Sequence, residues 1–176
     1  MLDAHIPLLP EIFGMHGRWR ATWPAIVGPN RTVNWVTFDQ DTNRIANALI
    51  DAGARRGARV ALLMSNCIEM TELIVGIMKS GCVAVPLNVS ITNDAAVSML
   101  KDAGATVVFA TPDLALMFND VGGVTCIEVH AKPSTLGCPS CSAWPGTHSH
   151  DARALSIFAP ALLTLTCPSW ADAHRQ

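Results

Sequence analysis

The sequence predicts a layered α/β domain, a mostly parallel sheet with flanking helices preceded by a β-hairpin. Three observations carry that expectation. Between Arg31 and Ala110 short apolar runs alternate with segments of helical periodicity; Gly53, Gly81 and Gly104 stand where helices should stop; and Gly28-Pro29-Asn30-Arg31 separates two β-prone runs. Strands alternating with helices at this spacing imply parallel pairing through right-handed crossovers, because a twisted strand and its helix pack back onto the sheet that way.

The hairpin comes first. Ala25-Ile26-Val27 and Thr32 to Phe38 are its arms, with turn chemistry between them and Trp35 as the expected anchor. Asp39 to Ala52 then places Ile45, Leu49 and Ala52 at helical spacing beside a polar face of Asp41, Asn43, Arg44 and Asn47, which predicts an amphipathic surface helix stopped by Gly53. Val60 to Met64 is a continuous apolar run, as for a central strand covered on both faces. Asn66 is expected to cap the next helix, about Cys67 to Ser80, with Glu69 placing negative charge at the positive end of the dipole. Ile68, Met70, Leu73, Ile74, Val75, Ile77 and Met78 cover most of that helix, so it should be heavily buried, and Gly81 ends it.

The unit repeats with a strand at Cys82 to Val85, a helix at about Asn93 to Ala103, Gly104 as stop and a strand at Thr106 to Ala110. A weaker third unit has Pro112 in a first helical turn, a short helix from Asp113 to Asn119, a turn at Gly122-Gly123 and a strand from Val124 to Val129. Beyond His130 the periodicity stops: Pro133, Pro139, Pro145, Pro160 and Pro168 recur through a Ser-, Cys-, His- and Trp-rich stretch. The expected division is a lead-in over 1–20, the α/β segment over 21–130 and an irregular tail over 131–176.

With 176 residues there is room for one ordinary domain. Half the residues are hydrophobic, 15% are charged and the formal net charge is -2, which argues against disorder, against a nucleic-acid partner and against any strong electrostatic partner. Met1 to Pro10 lacks the basic start and unbroken apolar run of a signal peptide, and the default expectation is a cytoplasmic chain. No window reaches the roughly 18–20 apolar residues of a membrane-spanning helix. Six cysteines without a secretory signal, with Cys67, Cys82 and Cys126 inside predicted elements, read as buried free thiols.

Read in order, Trp35 in its strand, Asn43-Arg44-Ile45-Ala46, Gly57-Ala58-Arg59-Val60, Asn66, Lys79-Ser80-Gly81 and Pro86-Leu87-Asn88 resemble the amino-terminal part of an AMP-forming acyl-CoA synthetase, in the adenylate-forming superfamily of AMP-dependent synthetases and ligases. The resemblance covers about Ala21 to Val129, roughly the first third of that family's large domain, so the sheet is expected to be incomplete relative to it. The family usually has Asp where Ala58 stands, so a local turn or cap is expected to be missing, with an effect on stability rather than catalysis. The resemblance implies ATP-dependent activation of a carboxylic acid through an acyl-adenylate, then thioester formation with coenzyme A, using ATP, Mg and CoA in the full-length enzymes. It also implies a Ser/Thr/Gly-rich loop ending in Pro-Lys-Gly for the ATP phosphates and a catalytic lysine on a small mobile domain. Neither pattern occurs in these 176 residues. No catalytic or cofactor-binding residue is therefore assigned, and the chain alone is expected to be inactive.

Other constellations have plainer readings. Cys138, Cys141, His148 and His150 form a weak zinc candidate, since the Cys-x-x-Cys spacing suits tetrahedral zinc but His-x-His does not. Asp94, Asp102 and Asp113 lie near predicted helix ends and read as solvated carboxylates. Lys79 complements a helix C-terminus; Met64, Met70, Met78 and Met99 read as core packing; Ser65 lacks a nucleophile-elbow context. The alternative to a synthetase fragment is a stand-alone α/β binding or interaction module. An incomplete sheet is expected to self-associate through its edge. The acyl substrate is left open.

Overall fold

The computed structural model describes residues 8–29, 31–118 and 121–130. Their elements, in chain order, are α1 (Leu9–Trp19), β1 (Pro24–Val27), β2 (Thr32–Asn34), α2 (Trp35–Asp51), β3 (Arg59–Leu63), α3 (Ile68–Lys79), β4 (Val83–Pro86), α4 (Asn93–Ala103), β5 (Val107–Ala110), α5 (Pro112–Ala115) with a short 3-10 turn at Leu116–Phe118, and β6 (Thr125–Glu128). β1 and β2 form the antiparallel hairpin, while β4-β3-β5-β6 form one parallel sheet. The expected fold class is the observed one.

Alternation of side chains along β3 divides the core. Val60, Leu62 and Met64 face α2 and α3, where Ile45, Leu49, Leu73 and Ile77 meet them; Ala61 and Leu63 face α4 and α5, where Ala96, Leu100, Ala115 and Phe118 close the other side. β3 is therefore buried on both faces, which is why its sequence is continuously apolar. A third cluster of Val33, Phe38, Ile68 and Val75, with Phe13 and Trp35 against it, fastens α1 and the hairpin onto α2 and α3.

Several details differ from expectation. The lead-in contains α1, begun by Pro10 in its first turn and by a Glu11 carboxylate that accepts the Leu8 N–H at 2.9 Å. The second hairpin arm stops at Asn34, whose side chain accepts the Thr37 N–H at 2.9 Å and starts α2 four residues before Asp39. A capping interaction there outweighs the β propensity of Trp35 to Phe38. The polar face of α2 is not a solvent face: Asp41, Thr42, Asn43 and Asn47 are buried beneath neighbouring helices.

At α3 the cap is Cys67, its Sγ accepting the Met70 N–H at 3.4 Å, and Asn66 is exposed one residue outside. Cys82 precedes β4 and donates toward the Arg55 carbonyl. Met64 is buried and Met70 and Met78 are partly so, but Met99 is 42% exposed because α4 buries only a narrow stripe against the sheet. Gly53, Gly81 and Gly104 take positive φ after their helices, and Gly123 does so in the turn before β6. At Ala58 backbone bonds close the turn: its N–H donates to Arg55 O at 2.9 Å and its carbonyl accepts from Val83 N at 2.8 Å.

Candidate functional site

The strand order creates one distinguished place. From β3 the chain passes through α3 on one face to β4, then through α4 on the opposite face past β3 to β5. The crossovers diverge between the carboxyl ends of β3 and β5, and in open α/β sheets such a divergence leaves a crevice where ligands bind. Backbone bonds hold its rim: Thr111 N–H to Leu63 O at 3.4 Å, Leu87 N–H to Leu62 O at 2.8 Å and Val129 N–H to Ala110 O at 2.8 Å. Met64, just past β3, is buried in the cluster against α2 and α3, and Ser65 and Asn66 after it are exposed. After β4, Asn88 accepts the Ser90 N–H at 2.9 Å and Thr92 caps α4, so both side chains are spent on local turns.

At the start of α3 charged side chains are engaged with one another. Arg31, from the hairpin turn, donates to Glu69 at 2.8 Å and to Glu72 at 3.3 Å on α3. Burial works against the Arg31 charge, but the bonds and charges of these carboxylates outweigh it and its pKa is raised. The carboxylates also fill the positive end of the α3 dipole that an anion would otherwise use. Burial pushes the Cys67 thiol up, only partly offset by the Met70 amide, so it is a cap and a poor nucleophile. Burial pushes Cys82 up likewise.

Lys79 belongs elsewhere. Its Nζ reaches Asp39 Oδ1 at 2.5 Å and Asn43 Oδ1 at 2.8 Å, tying α3 to α2 with only 9% of the side chain exposed. Burial lowers its pKa against the opposing pull of Asp39. It is a cross-helix tie as well as the basic residue in the last turn of α3. Asp94, Asp102 and Asp113 are exposed near helix ends, as expected; Cys82 is a buried free thiol, and Cys67 is a half-buried one. Among the described residues no three His, Cys, Asp or Glu side chains gather as a metal site; the zinc candidates Cys138, Cys141, His148 and His150 lie outside the described residues. No described helix is long and apolar enough to cross a membrane.

The carboxyl end of the sheet therefore carries exposed Ser65 and Asn66 after β3 and exposed Asp113 after β5. The Arg31 and Lys79 cations are committed to internal partners, so neither fits the role of neutralising the phosphates of ATP. Sequence reasoning missed Arg31 and the Asp39–Asn43–Lys79 cluster, whose partners lie 36 to 41 positions apart and leave no local spacing signal.

Comparison with known proteins decides the lineage. The model of the AMP-binding enzyme family matches residues 16–156, most of the chain. The chain belongs to the AMP-binding enzyme family. The match begins before Ala21 and runs past Val129, the limits of the resemblance read from motifs. Among curated relatives of this family member, a fatty acid–[acyl-carrier-protein] ligase, ScoC, of Streptomyces coeruleorubidus is 30% identical over 80% of the chain and 26% of its own length. A 3-hydroxybenzoate–CoA ligase of an Aromatoleum species is 33% identical over 66% of the chain and 23% of its own length. The chain thus spans about a quarter of the length of these relatives.

Solved structures agree on the fold. A benzoate CoA ligase from Burkholderia xenovorans superimposes with a TM-score of 0.73 at 18% identity, covering 86% of this chain and 31% of that one. The amino-terminal domain of FACL13 from Mycobacterium tuberculosis gives 0.70 at 25% identity, covering 84% and 37%.

Proposed function

We propose that these 176 residues are the amino-terminal scaffold of an AMP-forming acid–thiol ligase and do not activate an acid by themselves. One observation carries the reading: the family's structural junctions are present, while the phosphate-holding pattern ending in Pro-Lys-Gly is absent from the sequence. Adenylation develops negative charge at the α-phosphate and on the departing pyrophosphate, and without a positioned cation and clustered amides that charge is not stabilised. The engagement of Arg31 with Glu69 and Glu72, and of Lys79 with Asp39, supports the same conclusion.

In the full-length enzymes ATP, Mg and CoA supply the adenylate, charge neutralisation and acceptor thiol. The contribution of this segment is the carboxyl end of β3 and β5, where the crossovers diverge, which would form part of the wall facing a carboxylic acid substrate. The test is pyrophosphate release from ATP and Mg with fatty and aromatic acids, using the purified chain. No release above the protein-free rate is expected. Acid-dependent release that persists through repurification would overturn the proposal.

A further inference from the structure

The segment Arg18-Trp19-Arg20-Ala21-Thr22-Trp23, between the last turn of α1 and the start of β1, is unusually bare. Trp19 is 73% and Trp23 60% exposed, and Arg18 and Arg20 are exposed beside them. A soluble surface seldom leaves two indoles uncovered together. The segment is also held in place. Arg20 N–H donates to His16 O, Trp23 N–H to Arg20 O, Val36 N–H to Ala21 O and Trp35 N–H to Trp23 O, all within 3.0 Å, so the bend is fixed to both α1 and the start of α2. The Arg20 guanidinium lies 5.4 Å from the Trp23 ring centroid, where the ring face offsets part of the cost of taking that charge out of bulk water.

Charge narrows the occupant. Among residues 8–31 the sole carboxylate is Glu11, whose Oε2 is bonded to the Leu8 N–H at the opposite end of α1. Behind α1, Asp39 is paired with Lys79. The patch is locally cationic on a chain of net charge -2. We propose that Arg18 to Trp23 docks onto a membrane surface rich in anionic headgroups, the indoles entering the interface and the arginines meeting lipid phosphates. Tryptophan and arginine suit that boundary, each pairing an apolar or weakly hydrated body with a hydrogen-bonding edge. A second copy is disfavoured because a two-fold contact would oppose like charges.

The test is co-sedimentation of the full chain with vesicles of phosphatidylcholine containing about 25% phosphatidylserine, against phosphatidylcholine alone. Binding to the anionic vesicles, weakened by salt, is expected. Trp19→Ala/Trp23→Ala and Arg18→Gln/Arg20→Gln should each reduce it about tenfold or more, the latter also removing the preference for phosphatidylserine. Arg55→Gln/Arg56→Gln, at exposed arginines away from the patch, should bind as wild type, and circular dichroism confirms that each variant is folded. The proposal is overturned if the wild type does not sediment with anionic vesicles, if the patch variants bind as well as it does, or if the control pair loses binding equally. It is also overturned if the tryptophans instead mediate dimerisation or single-stranded RNA binding without vesicle binding.

Discussion

Gly76→Ala tests the packing on which the domain rests. A Cβ at Gly76 would stand 2.6 Å from Ile45 Cβ and 3.1 Å from the Thr42 carbonyl oxygen, both on α2. Ordinary contact begins at 3.4 Å, so relief at Ile45 Cβ alone needs 3.4 minus 2.6, or 0.8 Å, and Ile45 Cγ2, which lies nearer still, needs more. Neither obstacle is the far end of a flexible chain; one is a branched carbon and the other backbone. The strain is about 2–3 kcal/mol, as for an overpacked core, and the helix propensity of Ala over Gly returns about 1 kcal/mol. A net loss of about 1–2 kcal/mol follows, or roughly 2–8 °C in Tm.

Gly14→Ala is the matched control. It lies mid-helix in α1, and its added methyl would meet Asp39 Oδ1 at 3.7 Å, an ordinary contact. The same chemical change should there stabilise by about 0.5–1 kcal/mol. Urea denaturation followed by circular dichroism measures both. If Gly76→Ala equals or exceeds the wild type in stability, the close approach of α2 to α3 is refuted.

The remaining predictions concern titration and caps. Because burial lowers the Lys79 pKa, the unfolded chain binds more protons than the folded one between that lowered value and about 10.4, so this group makes stability rise with pH across the window. Cys67 and Cys82, raised by burial, act oppositely: the unfolded thiols ionise first and stability falls as pH rises above about 8.5. Comparing urea midpoints of wild type and Lys79→Met from neutral to alkaline pH separates them: the wild type should gain relative to the variant as pH rises, and parallel curves would contradict the assignment. Cys67→Ser supplies a hydroxyl in place of a weak sulfur acceptor at the α3 cap and should stabilise by about 0.5 kcal/mol, read from the same midpoint. In folded protein Cys67 and Cys82 should react with a thiol reagent at mildly alkaline pH more slowly than a free peptide cysteine, and equal rates would place them outside the buried surroundings described above.

The parallel sheet, its order of strands and helices and the glycine stops were legible in the sequence because each rests on local chemistry. The Val60 to Met64 run has to be covered twice, and Gly104 at φ +63° follows the last residue of a helix whose limits, Asn93 and Ala103, periodicity had marked. The absence of the Pro-Lys-Gly pattern is likewise a property of the sequence alone. Tertiary structure decided which polar residues are internal. Asp41, Asn43 and Asn47 have the spacing of a solvent face, and only the neighbouring helices cover them; Arg31 and Lys79 have the character of surface cations until α3 carries Glu69 and Glu72 to one and α2 carries Asp39 to the other. The converse holds for Trp19 and Trp23, apolar residues that the packing of α1 and the hairpin leaves outside. Periodicity reports which residues share a face, but burial depends on what is packed against that face, and those partners here come from about 40 positions away.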